Sequence, residues 1–288
     1  MPRVSVIIPH YDDLASLDRC LGALDDQTCP RDVFEVIVAD NMTEVLPGVL
    51  ERTVATRARL VRVEDKGAGP ARNGGVAAAT GDLLAFIDCD CVPEADWLAQ
   101  GLAALDRYDV VGGAMVVSSR SGRAMSGAEA FERVFAFNNR RYVEQEGFSV
   151  TANLFTTRRV FEHVGGFRNG VSEDKDWCHR ARGLGYRIGY AHDAVASHPA
   201  RQTWPELRKK WARLNTETYG LYRLRRNGRI KWLLRTWCLP ASVAAHAPAV
   251  VKSDQLGSVR QRAAAFGTLV RLRLWRFVDA HRLLLGRN

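Results

Sequence analysis

Residues 81–90 read GDLLAFIDCD, and Cys91 follows. An apolar run, Leu83-Leu84-Ala85-Phe86-Ile87, ends in two aspartates one residue apart, Asp88 and Asp90. A short apolar run without alternation is the pattern of a strand covered on both faces. Such strands belong to parallel sheets with helices on either side. The run predicts a strand over 81–90. Acids at its carboxyl end fall where open parallel sheets bind their ligands.

The flanking sequence repeats this grammar. VSVIIP (4–9), FEVIVAD (34–40), RLVRVED (59–65) and DVVGGAMVV (109–117) are further strand candidates. Between them, LASLDRCLGALDDQ (14–27) carries leucines at 14, 17, 21 and 24, which is helical spacing. GPARNGGVAAAT (69–80) reads as a tightly packed helix of small residues, and EADWLAQGLAALDRY (94–108) as another helix. Alternation of this kind predicts an α/β fold, a mainly parallel Rossmann-like sheet flanked by helices. Polar residues gather at the predicted strand ends: Tyr11 and Asp12, Asp40 and Asn41, Asp88 and Asp90.

The pattern loosens from about 120 to 150. FSVTANLFTTRRVFEHVGGF (148–167) then reads as a short strand, a turn and a helix, and SEDKDWCHRARGLGYRIGYA (172–191) as an acid-rich helix start followed by a strand. Beyond 200 the chain reads as helical throughout. The expected organisation is a catalytic domain over 1–200, with a nucleotide-binding half (1–117) and an acceptor half (118–200), and a basic helical region over 201–288.

The chain has 288 residues, 47% hydrophobic, with a formal net charge of +9. Arginines and tryptophans interleave in the last third, which points to an anionic membrane surface, nucleic acid or an acidic substrate as partner. WLLRTWCLPASVAAHAPAVV (232–251) is apolar enough to notice, but Arg235, two prolines and His246 make it a poor spanning helix. An interfacial, amphipathic segment is expected there. The six cysteines are scattered without a CxxC pair, so a zinc reading of DCDC lacks a second pair of ligands. The opening MPRVSVIIPHYDD carries no leader pattern, so a cytoplasmic protein with free thiols is expected, with docking on the inner face of the membrane as the alternative.

Two carboxylates at i and i+2 of a strand point to one face and can converge on a hard cation. Magnesium or manganese held this way takes up phosphate oxygens as well. Isolated, such a motif is weak, and the same acids could sit solvated in a turn. Asp174, in SEDKD, could merely be part of a helix cap with Ser172 as the cap residue, and Asp176 is a second acid two residues on.

The order of motifs narrows this. VSVIIPHYDDLASLDRCLGAL, VIVADN, KGAGPARNGGVAAATGDLLAFIDCDCVPEADWL, TANLFTTRRVFEHVGGF and SEDKDWCHRARGLGYRI follow one another. Together they resemble glycosyltransferase family 2, the inverting, nucleotide-sugar-dependent enzymes of GT-A fold, over roughly residues 3–200. The resemblance implies that Pro9 and Tyr11 flank the nucleobase and ribose and that Asp40 contacts the base. It implies that Arg72 pairs with the diphosphate or fixes Asp88. Asp90 is then the direct ligand of a Mn2+ or Mg2+ ion, with Asp88 facing ribose or metal. Thr151, Asn153 and Glu173 line the donor-sugar and acceptor pocket, and Asp174 is the catalytic base. Trp177 packs beneath that base or faces the acceptor. His198 contacts metal or diphosphate, with His192 as its rival. Asn41 departs from the family pattern, which has an acid there more often.

The expected reaction moves a sugar from a nucleotide-diphosphate donor, a UDP-sugar first among GDP and dTDP alternatives, to a hydroxyl of a glycan, lipid-linked or small-molecule acceptor. A nucleotidyltransferase would share the strand-end acids but needs a glycine-rich phosphate loop that PHYDD does not supply. A basic nucleic-acid-binding protein would gain nothing from acids that repel phosphate, so no nucleic acid is expected as partner.

Overall fold

The computed structural model describes residues 3–44, 48–119 and 124–286. In chain order the elements are β1 (Val4–His10), α1 (Leu14–Asp25), β2 (Phe34–Asp40), α2 (Val49–Val54), β3 (Arg59–Arg62), α3 (Ala68–Ala78), β4 (Leu83–Ile87), β5 (Val92–Pro93), α4 (Trp97–Ala104) and β6 (Val110–Ser118). There follow α5 (Gly127–Phe135), α6 (Asn139–Arg141), β7 (Asn153–Thr157), α7 (Arg158–Val164), α8 (Glu173–Gly183), β8 (Ile188–Pro199), α9 (Trp204–Arg223), α10 (Gly228–Lys252) and α11 (Val259–Leu284).

The strands form one sheet in the order β3-β2-β1-β4-β7-β6-β8-β5. The first four run parallel. β7 then lies antiparallel to both β4 and β6, and β5 antiparallel to β8. The sheet is therefore an α/β sheet of mixed direction. Strand–helix alternation is satisfied by either direction, which is why β7 entering between β4 and β6 is not legible from the pattern.

Residues along the parallel strands alternate between two cores. Val6, Ile8, Ala85 and Ile87 face one, with Leu17, Leu21 and Leu24 of α1. Ile7, Leu84 and Phe86 face the other, with Phe161 of α7 and Trp177 of α8. Both faces are thus dry, as the unalternating apolar runs require, and each fully buried aliphatic side chain contributes about 1.5–3 kcal/mol. The small residues of α3 have a steric reason: a Cβ on Gly75 would meet Ile7 Cγ2 at 2.6 Å. α1 starts at Asp13, whose carboxylate accepts from the Ser16 N–H at 3.0 Å.

Two of the strand boundaries that differ from the sequence reading bear on the site. β4 ends at Ile87, and residues 88–91 form a turn in which the Cys91 N–H donates to the Asp88 carbonyl at 3.0 Å. The strand argument for converging carboxylates therefore does not apply, and the turn sets where Asp88 and Asp90 point. β8 runs to Pro199, beyond the strand read as ending at 191, so His198 is a buried strand residue.

Two compact units divide the chain: residues 1–116, 138–169 and 173–198 make the first, and 117–137, 170–172 and 199–288 the second. The first holds the parallel strands and their flanking helices. In the second, α5 packs with α9 and α11 around Phe131, Leu207, Leu269 and Leu272. Capping boxes start α5, α9 and α11. Residues 232–251 fall within α10, which continues through Pro240 and Pro248. Among the described residues no helix is long and apolar enough to cross a membrane.

Asn153 joins three strands. Its amide donates to the Ala114 and Ala194 carbonyls, both at 2.9 Å, and its Oδ1 accepts from the Trp97 indole at 2.9 Å. Gly113 permits this approach, since a Cβ there would overlap the amide. Asn153→Leu would orphan all three partners, each worth about 1–3 kcal/mol when left buried and unpaired. The expected outcome is a loss of at least about 2 kcal/mol in urea unfolding, with far-UV circular dichroism at 25 °C unchanged.

Candidate active site

The carboxyl ends of β1, β2 and β3 lie in register, with His10 opposite Asp40 and Asp40 opposite Arg62. Residues paired across parallel strands share a face, and these three touch. His10 Nδ1 lies 2.9 Å from Asp40 Oδ1, and Arg62 Nη1 donates to Oδ2 at 2.6 Å. The Thr43 N–H donates to the same Oδ2 at 3.1 Å. Burial pushes the Asp40 carboxyl up, but the hydrogen bonds from Thr43, His10 and Arg62 outweigh it and hold the group below its usual range. Asp40 is fully buried; the half-exposed Arg62 guanidinium forms the outer end of the row. Pro9 stands one residue before His10, half-buried, and Tyr11 one residue after, 58% exposed.

Asn41 does work that an acid could not. Its amide donates to the Val63 and Asp65 carbonyls at 2.9 and 2.8 Å, while its Oδ1 accepts from the Gly67 N–H at 2.7 Å. A carboxylate has no donor for the two carbonyls. The departure from the family pattern is thus explained by a tether between β2 and the loop leading into α3.

Arg72, on α3, is the hub of the second group. It is almost fully buried, and its Nη2 donates to Asp88 Oδ1 at 2.5 Å while Nη1 donates to Glu173 Oε1 at 2.9 Å. Its Nε is buried without a hydrogen-bond partner. Burial opposes the charge, but Asp88 and Glu173 hold the guanidinium pKa above its ordinary value. Asp174 follows Glu173 in the first turn of α8, with one carboxylate oxygen accepting from the Lys175 N–H at 2.7 Å. Burial pushes the Asp174 carboxyl up to about 7; the Glu173 charge adds to this, and the Lys175 N–H and Arg72 oppose it. A carboxyl that exchanges its proton near neutrality is suited to general base chemistry.

The turn after β4 divides its two acids. Asp88 turns to Arg72, and Asp90 Oδ2 lies 3.1 Å from His198 Nε2. Both carboxylates remain partly open, at 33% and 27% exposure. Among the described residues no three His, Cys, Asp or Glu side chains gather in an arrangement that would hold a metal ion by themselves. A Mg2+- or Mn2+-type ion needs no such cage, because it is commonly held by one or two carboxylates with waters and substrate phosphates. Asp90, beside His198, and the partly open Asp88 are the carboxylates that could serve in this way. His192, the rival of His198, is exposed in the same strand.

The structure thus brings together Arg72, Asp88, Glu173 and Asp174, and pairs Asp90 with His198. Thr151 is buried, Asn153 is committed to joining strands, and Trp177 lies wholly in the core, stacked on Phe161 at 5.7 Å with its indole donating to the Gly165 carbonyl. Sequence reasoning missed His10, Thr43 and Arg62. His10 was visible in PHYDD, but only strand register shows that it and Arg62 bracket Asp40.

Removing the Asp174 charge tests its burial. A carboxyl whose folded pKa is near 7, against 3.8 when exposed, destabilises the fold once ionised. The cost is absent below about pH 4, grows between 4 and 7 and is complete above 7. Asp174→Asn is expected to raise Tm by about 2–4 °C at pH 8 and by little at pH 4.5, measured by calorimetry.

The sequence pattern that describes "Glycosyl transferase family 2" matches residues 5–165. The chain is similar to glycosyltransferase AglE of Haloferax volcanii, at 33% identity over 222 residues, 73% of this chain and 71% of that protein. It is also similar to validoxylamine A glucosyltransferase of Streptomyces hygroscopicus subsp. jinggangensis, at 38% over 108 residues, 36% of this chain but only 26% of that one. Among solved structures it resembles the mannosyltransferase PcManGT from Pyrobaculum calidifontis, in complex with GDP-Man and Mn2+, with a TM-score of 0.65 at 20% identity over 99% of this chain and 87% of that one. TarS 1–349 of S. aureus in complex with UDP-GlcNAc gives 0.55 at 17% identity, over 97% and 81% of the two chains. At such identities the structural likeness is one of fold, and that fold is GT-A with a helical C-terminal region. With the matched pattern and the AglE relative, it follows that this chain is a transferase enzyme and belongs to glycosyl transferase family 2.

Proposed function

We propose that the protein is an inverting glycosyltransferase that moves a sugar from a nucleotide-diphosphate donor to an acceptor hydroxyl, with Asp174 as the base. The observation that carries this reading is the Arg72 hub. It holds Asp88, from the turn after β4, and Glu173, beside Asp174, on one guanidinium. Donor-side and acceptor-side carboxylates thereby share one charged cluster while coming from distant parts of the chain.

In this reading Asp174 takes the proton of the attacking hydroxyl, and its raised pKa suits it to do so near neutral pH. Glu173 is held on Arg72 at 2.9 Å and so fixes the start of α8. Asp90, with His198 and Asp88, would hold a Mn2+ or Mg2+ ion, which when bound would supply charge neutralisation for the departing diphosphate. Pro9, Tyr11 and the row His10–Asp40–Arg62 are assigned to the nucleoside, and Thr151 to the sugar pocket. The donor is read as a UDP-sugar; structural neighbours in complex with UDP-GlcNAc and with GDP-Man keep both bases in the test. A glycan, lipid-linked or small-molecule hydroxyl is the acceptor, and residues 1–200 are read as the catalytic part. The enzyme is read as cytoplasmic, and the basic region 201–288 supports docking on the inner face of the membrane as the alternative.

The test is titration calorimetry with UDP, GDP and dTDP, each with and without Mn2+, followed by transfer assays. One of the three is expected to bind in a Mn2+-dependent way. Asp90→Ala is expected to abolish the Mn2+ dependence. Asp174→Asn should keep nucleotide affinity within about twofold and lose transfer by about 10²–10⁴-fold, the range of a positioned base. Unchanged transfer in Asp174→Asn removes the assignment.

A further inference from the structure

Residues 199–288 carry 19 lysines and arginines against four acids. Three of these arginines sit where charge is costly. Arg276 of α11 is almost fully buried, its guanidinium lies 4.1 Å from the Trp211 ring, and its Nε donates to Asn215 Oδ1 at 3.0 Å. Arg273, one turn earlier, and Arg235 of α10, over the Trp232 ring at 5.1 Å, are half-buried. Residues three apart share a helix face. Residues 232–237 of α10 lie against 277–281 of α11: the Trp232 indole donates to the Ala280 carbonyl at 3.1 Å, and Trp237 meets the Phe277 ring at 5.3 Å. Arg235 Nη1 and Arg273 Nε are buried without a hydrogen-bond partner. Burial pulls all three guanidinium pKa values down; the charge of Arg235 acts on Arg273 and Arg276, and Asp279 offsets this at Arg276. A buried cationic group with orphaned donors is expensive unless an anion completes it.

Beside this cluster runs an apolar stripe. Ile230, Leu233, Leu234, Trp237, Ala241 and Ala245 fall on one side of α10, all exposed, with Ile230, Leu234 and Trp237 above 60%. Arg235 stands one position past Leu234, between the stripe and the helix's buried side. At the same end of α10, Arg223, Arg225, Arg226, Arg229 and Lys231 are all exposed. Apolar side chains that leave water next to guanidinium donors that seek phosphate are the two halves of an interfacial membrane anchor. A second copy of this chain would bring the same cations face to face, so charge complementarity favours an anionic lipid.

We propose that the α10–α11 face docks on an anionic phospholipid surface, with Leu234 and Trp237 entering the headgroup layer and Arg235 and Arg273 taking a lipid phosphate. This rests on the family assignment only in naming what is brought to the membrane; the docking itself is read without nucleotide or transfer.

The test is flotation of the full chain with phosphatidylcholine vesicles and with vesicles containing phosphatidylglycerol, at low and high salt, together with thermal shift in inorganic phosphate and light scattering for oligomeric state. Binding only to the anionic vesicles, weakened by salt, is expected. Leu234→Asp, at an exposed position, should reduce it at least tenfold with Tm unchanged. Arg273→Met should reduce it about fivefold, the factor of one interfacial charge, while raising Tm, because an unpaired buried charge is removed. A purely structural arginine would lower Tm instead. The proposal is overturned by equal binding to both vesicle types or by none. It is equally overturned by stabilisation in free phosphate without vesicle binding, or by a dimer that Leu234→Asp dissociates and that ignores vesicles.

Discussion

A single guanidinium, that of Arg72, is the constraint from which the first unit's chemistry follows. It projects from α3, is buried away from water, and is kept charged by Asp88 on one side and Glu173 on the other. A buried cation of this kind is not a cheap source of stability, because its desolvation offsets most of the attraction. What it provides is position. The turn after β4 and the first turn of α8 must both present a carboxylate to the same fork, so residues 88 and 173, far apart in sequence, are fixed together. Asp174 inherits its place from this arrangement, and its raised pKa is the electrostatic result of being buried beside Glu173 with only partial relief from Arg72.

The same economy appears at the ends of β1 to β3. His10, Asp40 and Arg62 are aligned by register alone, and the hydrogen bonds they exchange leave a guanidinium, not a carboxylate, at the open end. Asn41 then ties β2 to the approach of α3 through three hydrogen bonds that only an amide can make together. Because Arg72 is on α3, this tether bears on the hub as well. In both places ionised groups satisfy one another before any ligand arrives, which limits how far the site must reorganise when one binds.

The second unit follows a different logic. Its helices are started by capping boxes and held by an apolar core, while its net charge is strongly positive. Neither capping nor packing accounts for the arginines between α10 and α11, nor for the tryptophan and leucines left exposed beside them.

The sequence determined the α/β class, the parallel strands β1 to β4 and the family, because unalternating apolar runs, helical spacing and ordered motifs are local or linear signals. It also named Arg72, Asp88, Glu173 and Asp174 and offered the pairing of Arg72 with Asp88 as one alternative. Strand order and direction beyond β4, the grouping of α5 with α9 and α11, and the partners of each charge were decided by tertiary structure. β7 can enter antiparallel beside β4 without altering any local pattern. Asp88 and Asp90 share a spacing that suggests one destination, yet the turn at 88–91 sends them to Arg72 and His198. A side chain's direction depends on backbone geometry and on what packs against it, and the linear chain records neither.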